Sequence, residues 1–479
     1  MAVFGLKARL AVVGIAVAMT LGPVKVVAES LADAMASAYE HNGLIDQNRA
    51  LLRAADEDVA VAYAALKPII SWSGSVVYSR SKSGTFVSPT ITTPGYLNVS
   101  RSSGTTTSLG LSAEMLLWDF GTSKFGIDIA KETVLATRQA LLAAEQQVLL
   151  RAAIAYLEVL RNNEFVRLRE NNVRVITVEL RAARDRFEVG EVTRTDVSIA
   201  EARLAGGRAA LAAAQGGLAQ AVEEFRAAVG RKPGRLSQPP RVPTTAKSVE
   251  SAKAAALRFH PEMIKIQHEV TAAELGILAA RGSMKPTVKL TGEYGLTQRF
   301  NSPNYSNGGS VGVTVGGPVY YGGQLAALSR KAVAQRDAVR AGLHQTRHAL
   351  ALNVGNAWAQ LQVARATRLS SERQVRASTI AFRGVREEAT LGARTTLDVL
   401  DAEQELLDAR ANLISATIDE HAAAYALLAA MGWLTADRMK LNVPKYDPAA
   451  YYNLVKTAPA LYSKQGQKLD KVLRKLGKD

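Results

Sequence analysis

The sequence predicts a duplicated α+β membrane protein, with pairs of membrane-crossing strands set between very long helices. Three observations carry this. The chain of 479 residues runs through the same order of segments twice. Each half holds two runs of about ten residues that alternate apolar with polar or small side chains, as a strand with one apolar face does. Each half also holds a long proline-free stretch whose apolar residues recur every seven positions, the 3.5-residue period of a coiled coil.

The N-terminus "MAVFGLKARLAVVGIAVAMTLGPVKVVA" places Lys7 and Arg9 ahead of an apolar run from Leu10 to Leu21, and ends on small residues at Ala28. It reads as a secretory signal peptide over residues 1–28, since a spanning helix needs about 20 apolar residues. Its removal takes away Lys7, Arg9 and Lys25 and lowers the formal charge from +16 to about +13.

The first repeat, residues 29–247, opens with a helix from about Ser30 to Leu66. Lys67-Pro68 ends it, because proline has no amide to donate and restricts its predecessor. Ile70, Trp72, Gly74, Val76 and Tyr78 then alternate with Ser71, Ser73 and Ser75; Leu109, Leu111, Ala113, Met115 and Leu117 form the partner strand. No proline interrupts Thr122 to Glu188, a helix of about 100 Å at 1.5 Å per residue. Its seam is Val134-Leu135, Leu141-Leu142, Val148-Leu149 and Ala155-Tyr156. The turn "VGEVTRTDV" leads into a return helix from Thr195 to Val229, and the Pro-rich Gly230–Ser248 joins the halves.

The second repeat, residues 248–436, has a helix from Ser248 to Ser283, Lys285-Pro286, strands around Val288-Leu290 and Val311-Val315, and a seam through Leu343, Leu350 and Ala357. Its turn is "LGARTTLDV", and its return helix runs from Thr395 to Met431. Residues 437–479 form a tail without sustained helical period before "KLDKVLRKLGKD". From Lys464 to Asp479 it carries six basic and two acidic residues, which reads as a solvated end rather than a nucleic-acid site.

The register of the duplication is informative. Gly121 and Gly322 lie 201 positions apart, Gly190 and Gly392 202, and Gly230 and Gly432 202, whereas Pro68 and Pro286 lie 218 apart. The first strand connection, about Ser81 to Thr105, therefore holds the extra residues and reads as a surface loop.

Composition excludes several classes. There is no Cys, so disulfides, thiolate zinc sites and cysteine lipidation are impossible. Beyond the leader no run of 18 apolar residues exists, so membrane insertion requires a β-barrel. Four strands cannot close one; two chains supply eight strands and three chains twelve. His344 and His348 have metal-ligand spacing but no carboxylate partner. Gly316-Gly317 and Gly322-Gly323 lack the following Lys-Ser/Thr of a phosphate loop. Without a catalytic constellation, the chain is expected to be no enzyme and to carry no cofactor or metal.

The duplicated helix, strand pair and long helix, the Gly turn followed by Thr-Asp or Asp-x-x-Asp, and "YYGG" after the fourth strand together resemble the TolC family of outer-membrane efflux and type I secretion ducts. The resemblance covers about Glu29 to Thr435. It implies a homotrimer: a twelve-stranded barrel in outer-membrane lipid, continued by a twelve-helix periplasmic tunnel. It makes Ser81–Thr105 and Phe300–Gly309 extracellular loops, and assigns Gly230–Ser248 and the tail after Asp437 to an equatorial belt. The implied partners are a periplasmic adaptor (membrane-fusion) protein and an inner-membrane pump or ABC transporter, with no nucleic acid. The implied role is a passive exit duct for drugs or secreted proteins, hence drug resistance.

By the same resemblance Asp398 and Asp401 constrict the periplasmic end of the pore, Arg394 ties the closed helices, and Thr195 and Asp196 are its polar partners. Two rings of three carboxylates would select cations and raise some carboxylate pKa values by mutual repulsion. The family's gate tyrosine falls on Ala389. Helix capping by Thr195 or Thr395 is the competing reading; for Asp398 with Asp401 the gate is favoured, because i and i+3 share one face. Val189, Gly190, Leu391 and Gly392 are the expected partner-docking turns, with plain helix C-caps as the alternative. A soluble periplasmic coiled-coil adaptor is the alternative function; the amphipathic strand pairs argue against it.

Overall fold

The computed structural model describes residues 28–239, 241–300, 302–460 and 463–475. The expected leader lies outside the described residues except for Ala28. Each half opens with two helices rather than one: α1 (Leu31–His41) and α2 (Gly43–Ala64), then α5 (Val249–Phe259) and α6 (Pro261–Gly282). The breaks fall at equivalent places and are made by capping side chains. Asn42 Oδ1 accepts from the Leu44 amide at 2.9 Å, and His260 Nδ1 from the Glu262 amide at 3.2 Å. Each restarts a helix whose first amides have no partner of their own.

The strands are β1 (Ile69–Val87), β2 (Tyr96–Trp118), β3 (Thr287–Arg299) and β4 (Tyr305–Gly316), in one antiparallel sheet of order β1-β2-β3-β4. The halves thus pair directly through β2 and β3, with Leu109 opposite Leu296. Both expected loops need correction. β1 and β2 continue as a two-stranded ribbon to Val87↔Tyr96, so most of Ser81–Thr105 is strand. In the second half, Tyr305 to Gly309 already belong to β4. The extra residues of the first repeat extend the ladder, since 19 and 23 residues stand against 13 and 12. The cause is a run of Ser and Thr that pairs as readily as it loops.

The sheet is open. Ile70, Trp72, Val76, Tyr78, Val311, Val313 and Val315 are all exposed. Among the described residues nothing pairs the outer edges of β1 and β4 or covers these apolar side chains.

Below the sheet run α3 (Thr122–Glu188) and α7 (Gln324–Thr390), each of 67 residues, returned by α4 (Arg194–Val229) and α8 (Thr396–Ala430). The heptad reading holds along α3, where Ile127, Val134, Leu141, Val148 and Ala155 are all buried. On α7 Leu350 is buried while Leu343 and Ala357 are half-buried, and the spacing continues through buried Ala364, Ser371 and Ser378, small residues that let helices approach closely. The apolar core sits at mid-length, where Tyr156, Phe225, Leu427 and Met431 are almost fully buried. There the joining segment is pinned: Glu29 bridges Leu236, and Tyr156 donates its hydroxyl to the Ser237 carbonyl at 2.7 Å.

The tail holds two helices, α9 (Pro448–Val455) and α10 (Lys464–Lys475). The sequence reading missed α9, whose apolar spacing is too short to register. The second is a helix with Lys464, Lys468, Lys471 and Arg474 exposed, in keeping with the expected solvated end.

Candidate functional site at the hairpin tips

The two helical hairpins end far from the sheet. Gly190 and Gly392 turn them with φ of 80° and 79°. A Cβ at either would meet nothing within 4 Å, so conformation rather than space demands glycine. The Glu191 amide donates to Arg186 O, and the Ala393 amide to Glu388 O, each at 2.9 Å. This double closure satisfies the last carbonyls of α3 and α7. It leaves Val189 and Leu391 at the apex, 71% and 85% exposed.

Each return helix then starts with a capping box. Thr193 caps α4: its hydroxyl accepts from the Asp196 amide at 3.3 Å, and Asp196 Oδ2 accepts from the Thr193 amide at 2.9 Å. Thr395 and Asp398 repeat this on α8, at 3.2 and 2.9 Å. Thr195 is corrected: it lies exposed in the first turn of α4, and Thr193 is the cap. The 202-residue spacing itself points to Thr193 as the counterpart of Thr395, and the neighbouring Thr195 obscured it.

The aspartates therefore do different things. Hydrogen bonds from Thr395 hold the Asp398 carboxyl below its ordinary range, and those from Thr193 do the same for Asp196. Within one chain the shift is opposite to the one expected of a like-charge ring. Asp401 lies one turn on and accepts an ion pair from Arg203 of α4 at 2.6 Å. Arg394 pairs inside its own tip with Glu388 at 2.9 Å, and that carboxylate raises its pKa. Ala389 is buried, so no large side chain fits there without rearrangement.

One and a half turns above, the hairpins touch through groups that the sequence reading passed over. Glu403 of α8 is buried, and its Oε1 accepts from Asn172 Nδ2 of α3 at 3.2 Å. Its Oε2 has no partner among the described residues. Burial pushes this carboxyl up to about 7, while the Asn172 hydrogen bond and Arg386 oppose the shift. Arg386 of α7 reaches Glu179 of α3 at 3.7 Å. Ile176, Leu180, Ala200, Leu204 and Leu400 fill the space between. The spacing marks Glu403 as the 202-residue counterpart of Glu201 but not as the buried one of the two.

Chemically, the tips offer charge and exposed apolar apices but no reaction centre. Among the described residues no group of three or more His, Cys, Asp or Glu can hold a metal. His344 and His348 are exposed on α7.

Comparison with known proteins gives a consistent picture. The family profile described as "outer membrane efflux protein" matches residues 35–231 and 254–433. The outer membrane efflux protein BepC of Brucella suis biovar 1 is 34% identical over 430 residues, covering 89% of this chain and 91% of that one. The outer membrane protein TolC of Vibrio cholerae is 29% identical over 329 residues, 63% and 71% of the two chains. The alkaline protease secretion protein AprF of Pseudomonas aeruginosa is 24% identical over 370 residues, 75% of each. Among solved structures, the CusC channel superposes with a TM-score of 0.72 at 20% identity, covering 85% of this chain and 92% of that one.

Proposed function

The chain belongs to the outer membrane efflux protein family, and on that premise we propose that three copies close into a passive exit duct through the outer membrane. The family places the protein in the outer membrane, with its helices as a periplasmic extension, and it is a family of channels, not of enzymes.

The observation that carries the trimer is the open sheet. Its exposed apolar faces and two free edges cannot rest in lipid, where each unpaired backbone group costs several kcal/mol. Pairing β4 of one copy with β1 of the next removes every edge, and three copies give twelve strands. The two 67-residue helices of each copy, with their return helices, then line a tunnel by lateral packing. Chemical cross-linking of the purified protein in detergent tests this: a trimer is expected, and a monomer or dimer overturns it.

The domain reading is a signal peptide (1–28), two repeats (29–247 and 248–436) and an equatorial tail (437–479). The gate reading places Asp398 and Asp401 of three copies around the periplasmic opening. Asp398 uses Oδ2 for its cap, and Oδ1 is left for the pore. Asp401 is held by Arg203 of the first hairpin, so widening the pore separates that pair. Arg394, Thr195 and Asp196 lie on the same rim. The apices Val189-Gly190 and Leu391-Gly392 present exposed apolar side chains for a periplasmic adaptor and an inner-membrane pump or ABC transporter. BepC argues for efflux and AprF for protein secretion as the service performed. Replacing both Asp398 and Asp401 by Ala is expected to weaken trivalent-cation block in planar bilayers by at least about tenfold, since both carboxylate rings disappear. Unchanged block sinks the gate assignment.

A further inference from the structure

The C-terminal tail climbs back to the membrane. From the core at Leu434, fully buried, the chain runs to α9, where Tyr451 donates its hydroxyl to Glu57 of α2 at 2.5 Å. Just beyond, Lys67 Nζ donates to the carbonyls of Thr457 and Ala458, each at 2.5 Å. Lys67 stands two residues before Ile69, the first residue of β1. The level of the sheet's lower rim is marked independently by exposed Trp118, Phe120, Tyr320 and Tyr321. Such an aromatic girdle sits where a barrel meets the headgroups. The counterpart of Lys67, Lys285, lies over the Phe120 ring at 5.1 Å. The first repeat thus uses its strand-launching lysine to hold the tail, and the second uses its own within the girdle.

α10 starts at this rim. Gln465 Nε2 donates to Thr457 Oγ1 at 3.1 Å, and the Ser463 amide to Ala460 O at 2.9 Å, so the helix is folded back onto the end of α9. In the sequence Leu469, Val472 and Leu473 recur at i, i+3 and i+4, the spacing of one apolar stripe. Lys464, Lys468 and Lys471, at i, i+4 and i+7, form the opposite face and are all exposed, as is Arg474. The helix packs on α9 and makes few other contacts. A short helix with a lysine face and an apolar stripe, held at headgroup level, has the design of an interfacial anchor. Its charge is complementary to anionic lipid.

We propose that α10 lies on the periplasmic leaflet of the outer membrane and binds anionic phospholipid headgroups, tethering the equatorial tail to the bilayer. The proposal rests on the barrel reading only for the level of the membrane.

The absence of Cys makes the test direct, because a single introduced cysteine is labelled uniquely. The full chain carrying Val472→Cys with an environment-sensitive fluorophore is reconstituted into phosphatidylcholine vesicles, with or without phosphatidylglycerol. Co-flotation with both kinds of vesicle checks barrel insertion separately. The emission is expected to shift to the blue only with phosphatidylglycerol, and to return when salt shortens the Debye length to about 3 Å at 1 M. A label at Ala213→Cys, on α4 away from the membrane, stays unchanged. Lys464→Gln, Lys468→Gln and Lys471→Gln together are expected to raise the phosphatidylglycerol fraction needed for half the shift at least about threefold, as three charge attractions are lost. An equal shift in both lipids, no shift in either, or a shift produced by soluble peptidoglycan fragments in neutral vesicles overturns the proposal.

Discussion

Two hairpins of one chain hold the same pair of residues and use them differently. In the first, Arg184 of α3 pairs with Glu201 of α4 across its own hairpin, and both side chains are about half exposed. In the second, the counterparts Arg386 and Glu403, 202 positions on, take other partners. Arg386 reaches Glu179 and Glu403 reaches Asn172, both on α3 of the first hairpin. The equivalent pair stays within the first hairpin and, in the second, reaches across to the first. About half a turn below, the copies differ again. Ile199 packs among apolar residues in the first copy, while its counterpart Asp401 pairs with Arg203 across the hairpins. The capping boxes did not diverge, because a helix end needs its cap wherever it stands.

The difference predicts a ranking of mutational effects. Asn172→Ala removes the partner of a buried carboxylate and leaves both its oxygens unsatisfied. It is expected to reduce the stability of the hairpin contact by about 1–3 kcal/mol at pH 8, read as faster amide exchange along α8 near Glu403. Equal exchange in mutant and parent would mean that this contact holds nothing.

pH sharpens the comparison. The Glu403 carboxyl is raised from 4.5 to about 7 by burial, so the folded chain binds its proton more tightly than the unfolded chain. The associated stability is complete below about pH 4.5 and is lost as pH rises through about 7. Amide exchange near Glu403 should accelerate between pH 5 and pH 8, after correction for intrinsic rates. Glu403→Gln should remove that acceleration.

The caps test what the repeats share. Thr193→Ala and Thr395→Ala are each expected to weaken the first turn of their helix by about 1 kcal/mol, measured by exchange of the first-turn amides. Thr195→Ala should change nothing there; an effect equal to that of Thr193→Ala would restore the earlier capping assignment. The smallest effect belongs to Arg184→Ala, at about 0.2–1 kcal/mol and fading with salt, because the pair it breaks is solvated.

The sequence by itself determined whatever local chemistry decides. Lys67-Pro68 and Lys285-Pro286 end helices because proline lacks an amide. Gly190 and Gly392 turn the hairpins because other residues resist positive φ. Alternation marked the strands, the heptad marked the seam, and repeated spacing revealed the duplication. Asp398 and Asp401 were legible as a motif, and Gly turns followed by Thr-Asp located the tips. Three local features still escaped. The Asn42 and His260 caps split helices that periodicity joined. Thr193 was displaced by a neighbouring threonine, and the Ser/Thr ribbon of β1 and β2 looked like a loop. Only the tertiary structure decided which partner each side chain takes. Glu201 and Glu403 are the same residue in equivalent positions, and nothing near either one in sequence tells which will be buried. Asp401 meets Arg203 across 198 residues, and Lys67 meets Thr457 across 390. Such contacts depend on how whole hairpins and the tail come to lie beside each other. That is set by packing summed over many residues, which no local pattern encodes.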